Sequence, residues 1–167
     1  NLAADSKSAG KWQTAKGGEY FAAGVGGAIA GRGADVLIID DPHSEQDAMS
    51  MNLLDSCYEW YTSGPRQRLQ PGGAIVIVMT RWSTMDLTGR LLNRQTETNA
   101  DQWEVIELPA IFEDTDEVLW PEFWKKEELE SVKASIPVTK WNAQYQQNPT
   151  SEEGAIIKRD WWNIWDD

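Results

Sequence analysis

Cysteine and histidine are nearly absent from these 167 residues, which hold one of each, Cys57 and His43. A single cysteine excludes an internal disulfide and any cysteine-based zinc site. Cys57 falls in a helical-looking stretch, where a lone cysteine acts as a small apolar residue. A single histidine leaves a typical metal centre built on His43 with Asp40 and Asp41 without a second imidazole. No apolar run approaches the roughly 20 residues that a membrane-spanning helix needs, and the first residues show no signal-peptide pattern. The expectation is a soluble, intracellular chain with no membrane partner. Positive charge is scarce as well: 15 basic against 27 acidic residues give a net charge of −12. Such a balance argues against a surface that coats nucleic acid in general. Also missing is a G-x-x-x-x-G-K-[ST] phosphate loop. The stretch GVGGAIAGRG has the glycines but no lysine followed by serine or threonine, and no G-x-G-x-x-G either.

What is present is ordinary in bulk and uneven in detail. Apolar content of 41% and charged content of 25% suit a globular chain long enough for one domain, or most of one. The charge is graded along the chain. Residues 1–33 carry four basic and two acidic groups, residues 34–98 five and nine, and residues 99–167 six and sixteen. Ten tryptophans are many for this length, and six fall late: Trp120, Trp124, Trp141, Trp161, Trp162 and Trp165. Their plain reading is aromatic packing in an irregular region; the sharper one is a docking face.

The opening residues, polar and rich in small side chains, have no period and read as a connection. Residues 19–25 suggest a short strand, followed by a glycine-dense stretch where backbone turns tightly. Ala34–Asp40 is a continuous apolar run ending in acid, the pattern of a strand buried on both faces. Ser44 is placed to start a helix that runs to about residue 62, where Gly64 and Pro65 break it. Residues 72–80 form a second buried-looking strand, 85–95 a helix with Asp86 near its beginning, and 103–109 a third, alternating strand. Helices are expected over 125–135 and 138–147, and a short extended piece over 154–158. Strands alternating with helices predict an α/β fold with a mostly parallel sheet. In such sheets chemistry gathers at the carboxyl ends of the strands, where Asp40, Asp41 and Thr80 fall.

LIIDD is the strongest local signal. In nucleotide hydrolases an apolar strand ends in an acid that serves Mg²⁺, and an adjacent acid orients or deprotonates the attacking water. Asp40 fits the first role, through water, and Asp41 the second, although a shorter aspartate stands where glutamate is commoner. Asp-Asp-Pro is equally good turn chemistry. At the end of the next strand, Thr80 and Arg81 are candidates to sense a terminal phosphate and pass its presence onward. The alternative is an ordinary strand end with Arg81 in solvent.

The ordered blocks GVGGAIAGRGADVLIIDDP, LQPGGAIVIVMTRWSTMDLTGRLL, WEVIELPAI, LWPEFW and WNAQYQQNPTSEEGAIIKRDWW resemble the large terminase subunits of tailed phages and prophages, over about residues 17–162. The resemblance implies a partial P-loop NTPase of the RecA-like kind. Residues 1–112 would be the C-terminal half of its ATPase domain. Residues 113–167 would be an irregular, helical linker region leading toward a nuclease domain. It implies that LIIDD is the Walker B segment, with Asp40 on the metal and Asp41 in the catalytic position. The segment around Thr80 and Arg81 would be the coupling motif. ATP and Mg²⁺ are the implied cofactors. The implied partners are double-stranded phage DNA, a portal protein, a small terminase subunit and other copies in a ring, at the procapsid in the host cytoplasm. Nuclease activity belongs to a full-length family member rather than to these residues. With the phosphate loop expected upstream, these residues alone are expected to be inactive. The alternative expectation is a non-catalytic, terminase-derived module that docks on a partner through its tryptophan-rich end.

Overall fold

The computed structural model describes residues 2–8 by their backbone, and residues 10–27, 29 and 31–150. It is a mixed α/β structure with a small parallel sheet flanked by helices. The chain falls into two compact units: Asn1–Ile38 with Glu59–Val76, and Ile39–Tyr58 with the described part of Ile77–Asp167. The division cuts both strands of the parallel pair.

The first unit opens on an antiparallel meander, β1 (Leu2–Ser8), β2 (Lys11–Thr14) and β3 (Glu19–Phe21). β1 and β2 replace the connection expected for the opening residues, and β3 falls within the strand expected over 19–25. The alternation that would have announced β2 is hidden in small and polar side chains. Its signature is a cross-strand pair instead: Trp12 lies opposite Tyr20, and their rings stack 4.8 Å apart. The turn between β2 and β3 closes through the Thr14 hydroxyl, which accepts from the Gly18 N–H at 3.0 Å.

The parallel pair consists of β4 (Ala34–Asp40) and β5 (Leu69–Val78). β4 matches the expected range; β5 starts earlier and ends earlier than expected, so Thr80 lies just beyond it. Burial on both faces is not observed. Val36 and Ile38 are 59% and 65% exposed, and Val76 and Val78 on β5 are exposed too, whereas Ile39 is buried. The strands thus have one covered and one open face among the described residues. The third strand expected over 103–109 is not formed. Val105, Ile106 and Leu108 are exposed, and the nearest pairing is a single bridge between Ile111 and Val118. Alternation is only a face pattern, and a strand also needs a neighbour to complete its hydrogen bonds.

Between β4 and β5 the chain forms α1 (Glu45–Ala48) and α2 (Met51–Ser63). Ser44 caps α1 as anticipated, in a reciprocal box with Asp47. A short 3₁₀ turn at Pro65–Arg68 follows the break at Gly64. In the second unit, α3 (Leu87–Arg94) begins at Asp86 and buries Leu87 and Leu91, one turn apart. Its Arg90 guanidinium pairs with Asp55 and lies 5.4 Å over the Tyr58 ring, fastening α3 to that part of α2. Cys57 is buried with its thiol toward the Pro42 carbonyl. Burial pushes its pKa up to about 11, as suits an inert packing residue.

α4 (Lys126–Ser135) and α5 (Val138–Lys140) run on into a wide, π-type turn at Trp141–Tyr145. Glu127 and Glu128 in the first turn of α4 and Lys133 in its last complement the helix dipole. Ile111, Leu129 and Trp141 form a core cluster flanked by Ala110, Val118, Val132, Ile136 and Tyr145. Residues on both sides of position 112 therefore share one core. The extended piece expected over 154–158, and Trp161, Trp162 and Trp165, lie outside the described residues. No helix among the described residues is long and apolar enough to cross a membrane.

Candidate functional site

Asp40 is the last residue of β4 and is exposed. Its carboxylate makes no hydrogen bond or ion pair among the described residues. Asp41 leaves the strand in the left-handed region, at φ +41°. Aspartate tolerates that region better than most side chains, at a cost of order 1–2 kcal/mol. The turn is held twice. The Asp41 N–H donates to the Val78 carbonyl at 2.9 Å, and its carboxylate accepts from the Thr80 N–H at 3.3 Å. Two of the positions singled out from sequence, 39 residues apart, are thus joined at the ends of adjacent strands.

Arg81 is not in free solvent. Its guanidinium Nε donates to both carboxylate oxygens of Asp86, at 3.0 and 3.2 Å. Asp86 is 0% exposed and also accepts from the backbone N–H groups of Trp82, Ser83 and Gly89. This single carboxylate caps α3 and ties the loop after β5 to the helix. The loop lies so close that a Cβ on Gly89 would come within 2.2 Å of the Thr84 carbonyl oxygen.

His43 is buried and caps the same helix from another direction: its Nε2 accepts from the Leu87 N–H at 2.9 Å. The proton of the neutral ring therefore sits on Nδ1, which has no partner among the described residues. Burial lowers the pKa of His43; the nearby Asp86 and Asp47 oppose that shift and Arg90 adds to it. A ring nitrogen committed to a helix start is a poor metal ligand. No group of three or more His, Cys, Asp or Glu able to hold a metal occurs among the described residues. The alternative metal centre of Asp40, Asp41 and His43 is not assembled.

Sequence reasoning missed two further participants. The Gln147 side chain accepts from the Arg81 N–H at 3.1 Å, across 66 positions, and Gln147 has φ +56°. Its neighbour Gln146 grips the Ile111 backbone with both ends of its amide, donating to the carbonyl at 2.8 Å and accepting from the N–H at 3.2 Å. The tandem glutamines thus attach the π-type turn to Ile111 and to the loop after β5. The one sequence cue is their place after the last helix and before Pro149, which names a terminator rather than a contact.

No protein-family model matches the chain, and no curated protein matches it.

Proposed function

We propose that this chain is the second half of the ATPase domain of a tailed-phage DNA-packaging motor, with part of the linker that leads from it. The observation that carries the reading is the junction of Asp40, Asp41 and Thr80. One carboxylate stands unengaged at a strand end, and its neighbour is hydrogen-bonded to the tip of the adjacent parallel strand. The motif resemblance in sequence supports the same reading, as does the small parallel sheet, taken as a portion of a P-loop NTPase fold. Asp40 is the candidate holder of magnesium and Asp41 the candidate for orienting water. Thr80 and Arg81 carry the coupling role, with Arg81 anchored through Asp86 to α3.

The residues fit magnesium bound with ATP rather than a protein-built cage. Magnesium keeps several waters and takes one or two carboxylates beside substrate phosphates, which a lone free Asp40 can offer. When bound, it would neutralise charge that develops on the phosphates. The phosphate loop is not among these residues and must come from another segment. Double-stranded DNA, a portal protein, a small terminase subunit and a ring of copies at the procapsid belong to this proposal.

Paramagnetic broadening by Mn²⁺-ATP tests the assignment in an isotope-labelled protein that joins a phosphate loop to this chain. The amides of Asp40, Asp41 and Thr80 are expected to broaden first, and Asp40→Asn to remove the effect. Broadening confined to residues 113–130, unchanged by Asp40→Asn, would overturn it. A second reading, a docking module without hydrolysis, draws support from the exposed aromatic residues Trp120 and Phe123.

A further inference from the structure

The turn over residues 119–124 presents aromatic groups to water. Trp120 and Phe123 are 58% and 62% exposed, with Leu119 and Trp124 also exposed beside them. The rings are ordered among themselves. Trp120 and Phe123 stack with centroids 5.0 Å apart, and Trp124 meets Phe123 edge-on at 5.5 Å. The backbone holds the arrangement: the N–H groups of Phe123 and Trp124 both donate to the Trp120 carbonyl, at 3.1 and 2.9 Å. The Leu119 N–H donates to the Ala110 carbonyl at 3.0 Å, and Val118 packs on the core cluster. Rigid, pre-shaped aromatic residues are the groups that anchor protein interfaces, because little freedom remains to be lost on binding.

The charge around the turn selects the occupant. Residues 113–130 hold eight acidic groups and two lysines. Both lysines are committed internally: the Lys125 ammonium donates to the Pro121 carbonyl at 2.9 Å, and Lys126 pairs with Asp116. Glu122, within the turn, is exposed and its carboxylate has no partner among the described residues; the same holds for Glu117, Glu127 and Glu130. A negatively charged surface of this kind repels nucleic acid and anionic lipid. Aromatic faces beside free carboxylates instead suit a guanidinium or ammonium, which can lie on a ring and pair with an acid together.

We propose that the 119–124 turn is a docking site for a positively charged segment of another protein. An arginine or lysine of that segment would lie on Trp120 and Phe123 and pair with Glu122. Neither Asp40 nor Thr80 enters this proposal, so it stands apart from the hydrolytic reading.

Fluorescence anisotropy tests it with a fluorescein-labelled peptide of repeating Arg-Leu pairs, and with the matching Glu-Leu peptide as control. The Arg-Leu peptide is expected to bind, more weakly as salt rises, and the Glu-Leu peptide not to bind. Trp120→Ser with Phe123→Ser is expected to weaken binding about tenfold or more. Glu122→Lys is expected to weaken it as well, and decides the matter if the aromatic variant fails to fold by circular dichroism. Equal affinity in wild type and folded variants, or equal binding of both peptides, would overturn the proposal. So would sedimentation showing a dimer that Glu122→Lys disperses, since the occupant would then be a second copy.

Discussion

Asp86 and His43 hold one helix start between them, by opposite means. Asp86 is a buried charge whose partners are a guanidinium and three backbone N–H groups, so its desolvation is offset by charge-assisted bonds. His43 is a buried neutral ring whose Nε2 must stay unprotonated to accept from Leu87. Because burial sets its pKa below the ordinary value of 6.5, the unfolded chain takes up the proton first. The stabilisation is therefore complete above about pH 6.5 and is lost as pH falls from there through the lowered folded value. Urea unfolding between pH 8 and 5 is expected to show a steeper loss of stability for wild type than for His43→Gln. Parallel pH profiles would contradict this role. Sequence reasoning read Asp86 as the beginning of a helix and His43 as a candidate ligand. That they serve the same turn follows from a contact across 44 positions, which no local pattern encodes.

The elements legible in sequence are those whose signals are local. β4 is read from seven consecutive residues, the start of α1 from Ser44, and α4 from the acidic stretch over 125–135. Illegible elements depend on partners remote in sequence or on side-chain pairs without a period. β1 and β2 are not legible, since Trp12 against Tyr20 has no period, although β3 falls within the strand expected over 19–25; residues 103–109 have the alternation of a strand without a paired neighbour. The helix expected over 138–147 widens into a π-type turn after Lys140. There Trp141 stacks on Tyr145 at 4.8 Å, and Gln146 reaches the Ile111 backbone. Trp141 thus joins α4, the turn and Ile111 in one cluster. Trp141→Ala is expected to cost about 3–5 kcal/mol, as large aromatic deletions in cores do. Chemical denaturation measures it, and a loss below about 1 kcal/mol would show that the cluster does not support the second unit.

Across the whole molecule, the densest acidic run and the candidate site lie in different stretches of sequence. Residues 113–130 bear eight of the 27 acidic groups, whereas the candidate nucleotide site lies at the ends of β4 and β5. Only the site's strand positions were readable in sequence. The hydrogen bond from Thr80 to Asp41 needed the fold, because it joins segments 39 positions apart, whereas the Arg81–Asp86 pair spans five positions and needed only the geometry of the loop between them. The central claim is that Asp40 serves magnesium in ATP hydrolysis. ATP turnover tests it most directly, in a protein that joins a phosphate loop to this chain, with Asp40→Asn as the comparison. The account predicts magnesium-dependent turnover that Asp40→Asn lowers by about a thousandfold, of the order expected for loss of electrostatic transition-state stabilisation, with the unfolding midpoint unchanged. Turnover retained in the folded Asp40→Asn variant would contradict it.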